Sequence, residues 1–367
     1  MVDRYLRDEE YELVFADSGR QALEQFAQDG PYDAVLLDVM MPEMDGYQVA
    51  QILRRQYGAH ELPIIMITAK QQVSDLVEGF ETGASDYIHK PYSKAELIAR
   101  LNAHLHLART SRAMRRFVPT EMLQLIGCEH IAELSLGMAR AHAITIAFTD
   151  IRGFSTSLEL MQPQAAFEWL NRCYQLIGPE VRKGGGFIDK YIGDGIMALF
   201  PESADHALNA TLAMHHSTRK LKDLQLGTGL HFGQTILGTL GESERFDATV
   251  LSDAVNVASR IEGACRQLDA ALLVSDEFRR TLSQIASWQW RCIGPVRLKG
   301  RQTAVELWEV LDAKTPEQLR ILAPREAYEA LLKAALECAW PSAYDQAHVL
   351  SKAYPHDRVI KLYEETL

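Results

Sequence analysis

Residues 187–200 read FIDKYIGDGIMALF. Two apolar-rich runs, 187–192 and 196–200, flank Gly193-Asp194-Gly195, and glycine and aspartate are the residues of a tight turn, so the stretch predicts a β-hairpin with Asp194 at its tip. Upstream, the apolar run 143–148 predicts a strand that ends in Thr149-Asp150-Ile151-Arg152-Gly153-Phe154-Ser155. If that strand lies beside the hairpin, Asp150 and Asp194 converge. Two hard carboxylates at one point suit Mg2+ or Mn2+, which prefer oxygen ligands and use substrate phosphates to complete their shells. Taken alone, an aspartate in a Gly-Asp-Gly turn needs no function.

The surrounding composition narrows the choices. A chain of 367 residues is long enough for two or three compact units. The net charge of -11, without a Lys/Arg-dense face, argues against a nucleic-acid partner. Cysteines at 128, 173, 265, 292 and 338 share no metal-ligand spacing and fit a reduced, cytoplasmic setting. No apolar run approaches the roughly 18 residues of a membrane span, and the charged start lacks the apolar stretch of a signal peptide. His215 and His216, in a polar stretch without zinc-site spacing, read as surface residues.

Residues 1–107 alternate short strands (12–16, 34–37, 64–68 and 87–88) with amphipathic helices, the rhythm of a parallel sheet with crossover helices. Asp38 ends one of these strands, where such sheets bind ligands. The segments LLDVMMPEMDG, ITA with Thr68, and SDYIHKP with Lys90 resemble a two-component receiver domain. The resemblance implies that Asp38 accepts a phosphoryl group from a sensor histidine kinase, that Thr68 and Lys90 contact its oxygens, and that Tyr87 is an aromatic switch residue. Only 37 residues precede Asp38, so the first strand and its acidic pair are expected to be missing. A clipped sequence and a degenerate receiver both remain open.

Residues 93–126 are rich in helix formers, with a restart expected at Pro119. Leu97, Leu101, Leu105 and Leu107 form an apolar stripe that either packs back on the first region or pairs two chains as a coiled coil. The interval 108–140 is read as a helical linker.

The segments FTDIRGFS, DKYIGDGIMALF and DATVLSDAVNVASRIEG follow one another as they do in class III nucleotide cyclases, and the chain resembles that family over residues 141–312. The resemblance implies that Asp150, Asp194 and the carbonyl of Ile151 hold two Mg2+ or Mn2+ ions per site. Backbone N–H groups at Gly153, Phe154 and Ser155 would cradle phosphate. Lys190 and Thr249 would read the base, Asn256 the ribose, Arg260 the α-phosphate and Lys299 the outer phosphates. Lysine donates to adenine N1 and threonine accepts from the N6 amino group, a pattern that favours ATP over GTP. Ser252 stands where the family commonly has glycine.

Residues 313–367 read as helices resembling a single tetratricopeptide-like hairpin, which must pack on something else because one repeat cannot bury its own face. The expected architecture is therefore α/β multidomain: a flavodoxin-like receiver lacking its first strand, a ferredoxin-like α+β cyclase domain, and a short helical extension. The expected function is an adenylate cyclase acting on ATP as a homodimer through its catalytic domain and linker helix. A guanylate cyclase and a catalytically silent nucleotide-binding scaffold are the alternatives.

Overall fold

The computed structural model describes residues 2–7, 9–69, 82–154, 158–159, 161–221, 224–312 and 322–367. The chain forms two compact units, Met1–Phe117 and Val118–Leu367. The boundary falls inside the interval read as a linker, which forms no unit of its own.

In the first unit, helices α1 (Val2–Leu6), α2 (Gly19–Asp29) and α3 (Gly46–Arg54) accompany three parallel strands, β1 (Val35–Asp38), β2 (Ile64–Thr68) and β3 (Asp86–His89), hydrogen-bonded in that order. All five residues of β2 are buried, as a central parallel strand requires. The strand expected at residues 12–16 does not form. Those residues join no ladder among the described residues, and Val14 and Phe15 are half exposed.

Helix α4 (Lys94–Met114) starts at Ser93, whose hydroxyl accepts from the Glu96 N–H. Leu97, Leu101 and Leu105 are buried against Ile65, Ile67 and Ile88. The stripe therefore packs back on the receiver and is not a free coiled-coil seam; Leu107, off that face, is exposed. The expected restart at Pro119 is present as α5 (Thr120–Ile126), which belongs to the second unit.

The second unit is built on β4 (Ala139–Ile151), α6 (Pro163–Lys183), β5 (Phe187–Ile192), β6 (Gly195–Phe200), α7 (Ala204–Thr218) and β7 (Leu226–Glu242). Their order in the sheet is β7-β4-β6-β5, every neighbouring pair antiparallel. This is the ferredoxin-like βαββαβ arrangement. β8 (Arg245–Leu251) pairs back on β7, and α8 (Asp253–Leu268) then crosses to β9 (Leu272–Ser275), parallel to β7. After the short α9 (Asp276–Arg280), β10 (Gln289–Val296) and β11 (Val305–Leu311) extend the sheet.

Two glycines fix where α8 lies. A side-chain carbon at Gly229 would come within 2.4 Å of the Glu262 backbone nitrogen, and one at Gly233 within 2.7 Å of the Ala254 side chain. The two residues are four apart on one strand and therefore share a face. Only a strand without side chains there admits the helix so closely.

Helices α10 (Arg325–Leu336), α11 (Trp340–Ala353) and α12 (Arg358–Thr366) do not stand apart. Their buried residues Leu331, Ala347 and Ile360 share one core with Ile261, Leu273 and Leu307 of the sheet unit. Tyr328 and Tyr363 donate to the β10 carbonyls of Cys292 and Ile293 at 2.6 and 2.8 Å. Arg291 of β10 meets both oxygens of Asp357 at 2.6 and 2.7 Å, with both side chains almost fully buried.

Removing Asp357 leaves the buried guanidinium with only the Glu309 carboxylate, 3.5 Å away, as its counter-charge. Asp357→Ala is expected to destabilise the second unit by about 3 kcal/mol. All five tryptophans (169, 288, 290, 308 and 340) lie in that unit. The check is the shift in urea midpoint followed by tryptophan fluorescence.

Candidate active site

β4 is buried at Ile144, Ile146 and Ala147 and emerges at Asp150, whose side chain is 23% exposed. The register Thr149↔Ile196 brings the β5–β6 turn beside that end. Gly193 turns the chain at φ +62°, a conformation that favours glycine, and Tyr174 donates to its carbonyl at 2.8 Å. A side chain at Gly195 would come within 3.6 Å of Asp150 Oδ1. The structure thus brings Asp150 and Asp194 together, near enough for the charge of one to act on the other.

Burial pushes the Asp150 carboxyl up, and the neighbouring Asp194 pushes it further; the Arg266 guanidinium and the Ile151 N–H pull the other way. Arg266 Nη2 lies 3.2 Å from Asp150 Oδ2. Glu262, one turn earlier on α8, is raised to about 7 by burial and by the nearby Asp150. Three acidic groups face two arginines, Arg266 and Arg152, and the latter is already paired with Asp269, so the site is short of positive charge. Among the described residues no group of three or more His, Cys, Asp or Glu side chains is placed to hold a metal ion. A carboxylate pair facing a half-open edge nevertheless suits a divalent cation whose remaining ligands come from phosphate oxygens.

Glu262 and Arg266 were not singled out from the sequence. Their spacing of four on one helix was the available signal, but Asn256 and Arg260 show the same spacing on another face. Asn256 is exposed and its amide is 3.5 Å from the Ser252 carbonyl. Ser252 caps α8, its hydroxyl accepting from the Val255 N–H at 3.1 Å, so serine serves that turn well. Arg260 lies beside the Gly300 turn, where a side chain would come within 3.6 Å of its Nη2. Lys299 is the exposed residue just before that glycine. Arg301, just after it, meets both oxygens of Asp253 at 2.7 and 2.6 Å, tying the turn to the start of α8.

Lys190 and Thr249 come from β5 and β8 and meet: the ammonium donates to the Thr249 hydroxyl oxygen at 2.6 Å. Gly153 has φ +73° and open space around it, while Phe154 turns its ring into the core and stacks on Trp169 at 5.4 Å, which leaves only its backbone for a ligand. Ser155 lies outside the described residues. His215 is half-buried on α7 and not freely exposed; it is bonded to Thr228 Oγ1 at 3.0 Å, and desolvation lowers its pKa to about 4. His216 bonds Asp312 at 2.6 Å.

In the first unit, Asp38, Thr68 and Lys90 gather at the C-terminal edge of the three strands. Lys90 pairs with Asp38, whose other oxygen accepts from the Met40 N–H at 3.1 Å. Thr68 is buried, and the Lys90 N–H donates to its carbonyl at 2.8 Å. Tyr87 is also buried, within the cluster around Leu37 and Val49, and its phenol is raised to about 12 mainly by burial.

Residues 1–102 match the family of response regulator receiver domains, and residues 136–310 that of adenylate and guanylate cyclase catalytic domains. The chain joins a receiver domain to a class III cyclase catalytic domain. It is 37% identical over 219 residues to an adenylate cyclase from Anabaena cylindrica, covering 56% of this chain and 44% of that one. It is 46% identical over 105 residues to the transcriptional regulatory protein SrrA of Staphylococcus aureus, covering 29% and 42%. The chain thus spans less than half the length of these curated relatives. A solved structure of a bacterial light-regulated adenylyl cyclase superposes with a TM-score of 0.53 at 25% identity, over 65% of this chain and 73% of that one. Cyclase domains of this class depend in general on divalent metal and act as dimers. Among the described residues no helix is long and apolar enough to cross a membrane.

The raised Glu262 carboxyl of the cyclase domain has a consequence for stability. Its protonated form is favoured in the folded state, so its contribution is fully present below about 4.5, the ordinary value, and is lost as pH rises through about 7. Glu262→Gln is expected to be more stable than the parent at pH 8 in EDTA, by about 1–3 kcal/mol. The gap should close as the pH falls toward 5, read by urea denaturation at both pH values.

Proposed function

We propose that the protein is an adenylate cyclase, converting ATP to 3',5'-cyclic AMP and pyrophosphate in a homodimer. The observation that carries this reading is the bond between Lys190 and Thr249 at 2.6 Å, two residues from separate strands that form one base-reading pair. The ammonium offers a donor to adenine N1. The threonine oxygen keeps a lone pair for the N6 amino group. Guanine presents the reverse pattern at both positions, so GTP is the poorer substrate.

Asp150 and Asp194, with the Ile151 carbonyl, are the residues suited to hold two Mg2+ or Mn2+ ions. Such ions, when bound, supply Lewis-acid stabilisation of the attacking oxygen and of the triphosphate. The protein's own groups do the positioning. The N–H groups of Gly153, Phe154 and Ser155 are the ones that would cradle the phosphates, Asn256 would orient the ribose, and Lys299 would contact the outer phosphates. The 3'-hydroxyl then attacks the α-phosphorus in line as pyrophosphate departs, and Arg260 offsets the negative charge that grows on the α-phosphate.

In this reading the metal carboxylates of one site come from one protomer and Lys190, Thr249, Asn256 and Arg260 from its partner. Exposed Tyr191, Ile192, Leu240 and Leu251 supply apolar surface for that pairing. The receiver would take a phosphoryl group on Asp38 from a sensor histidine kinase. Lys90 would neutralise it, Thr68 would donate to it, and Tyr87 would answer as the switch residue.

Purified protein with MnATP should form cyclic AMP, and Asp150→Ala should retain about 1% of that rate or less. No product above this control would exclude the enzyme. Asp194→Ala and Lys190→Ala chains, each inactive alone, are expected to regain activity when mixed, since one site of the heterodimer keeps all its groups. Unrescued mixtures that still dimerise by light scattering would exclude the shared site.

A further inference from the structure

The β5–β6 ladder is irregular at one point. Ile188 pairs with Ala198 and Lys190 with Met197, so Asp189 is an extra residue on its strand, a β-bulge. Consecutive side chains of a regular strand point to opposite faces. At this bulge they meet: Asp189 Oδ2 lies 3.3 Å from Lys190 Nζ. The Asp189 side chain is 1% exposed, and Oδ2 makes no hydrogen bond among the described residues. A buried carboxylate oxygen without such a bond is costly, and the adjacent ammonium is what compensates it. Burial raises the Asp189 carboxyl and Lys190 draws it back down.

A lysine ammonium has three N–H donors and no acceptor. One goes to Thr249 Oγ1 at 2.6 Å, and the Asp189 carboxylate, 3.3 Å away, holds the ammonium by charge without taking a hydrogen bond, which fixes where the other N–H groups point. Resting on the base-reading role proposed above for Lys190 and Thr249, we propose that Asp189 is a positioning residue for purine selection, holding the Lys190 ammonium so that an N–H not given to Thr249 meets the acceptor at adenine N1. Guanine has a donor at that position, with its O6 acceptor beside it. An ammonium tethered by both Asp189 and Thr249 cannot swing onto O6; released from the Asp189 charge, it has the freedom to do so. The buried, bulged aspartate therefore discriminates against GTP without touching the base.

The test compares ATP and GTP on the full-length chain with Mn2+, for the parent, Asp189→Asn and Lys190→Ala. Asp189→Asn keeps the shape of the side chain and removes its charge. It is expected to raise the KM for ATP about tenfold with kcat within about threefold, and to lower the ATP:GTP ratio of kcat/KM about tenfold, the size of one charge-assisted hydrogen bond. A ratio measured on one preparation is independent of how much of it is folded. For Lys190→Ala, expected not to turn over alone, and for Asp189→Asn if it is inactive too, equilibrium dialysis with α,β-methylene-ATP and α,β-methylene-GTP supplies the same ratio, set against the parent measured in the same way. A parental ratio in Asp189→Asn, with selectivity lost in Lys190→Ala, overturns the role of Asp189 and leaves the base-reading pair intact. A parental ratio in Lys190→Ala overturns the base-reading pair, and the role of Asp189 with it.

Discussion

The cyclase unit depends on how closely α8 can approach β7. Gly229 and Gly233 let the helix backbone settle where any side chain would strike it, in one case the helix's own backbone nitrogen. That contact sets the position of every functional group the helix carries. Asn256 and Arg260 lie on one face, beside the Gly300 turn, while Glu262 and Arg266 are turned toward Asp150. In the proposed dimer a single helix thus borders the carboxylate cluster of one site and carries the ribose- and phosphate-facing groups of the other. A displacement large enough to admit one methyl group at Gly229 would move both at once, because packed interiors do not deform smoothly.

The carboxylates work against folding. Asp150, Asp194 and Glu262 crowd one end of the sheet, and their mutual repulsion with partial burial raises Asp150 and Glu262. Arg266, itself largely exposed, offsets this only in part, since a pair open to solvent is screened. Such a concentration of like charge is intelligible where a cation binds, and functional sites are where this kind of local cost is retained. The Lys190 region has the opposite balance, with a cation held between a hydroxyl and a buried carboxylate.

Much of this was legible in the sequence, for identifiable reasons. The Gly-Asp-Gly turn and the strand before it placed Asp150 and Asp194 together because turn chemistry and strand alternation are local rules. The leucine spacing from 97 to 105 gave the buried face of α4, and Ser252 shows why a serine serves where the family commonly has glycine. What escaped depended on distant partners. The run 12–16 has strand composition, but composition does not supply a neighbouring edge. His215 sits in a polar stretch yet is half-buried, because the helix turns that residue toward Thr228. The bulge at Asp189 adds a residue to a strand whose period of two gives no hint of it.

The C-terminal helices follow from the same constraint. α8 has one flank against β7, and its Val257, Ile261 and Cys265 also need cover from apolar groups. A lone helical hairpin cannot bury its own face, and a helix lying on one face of a sheet has an outer flank left to bury. Each solves the other's problem: Leu331, Ala347 and Ile360 share the core with those α8 residues, and the Arg291–Asp357 pair fixes the register of the docking on β10. A hydrophobic face can slide by a turn at little loss, whereas a bidentate buried ion pair cannot. The extension is therefore part of the foundation of α8, and the helix that carries Asn256 and Arg260 is held from both sides.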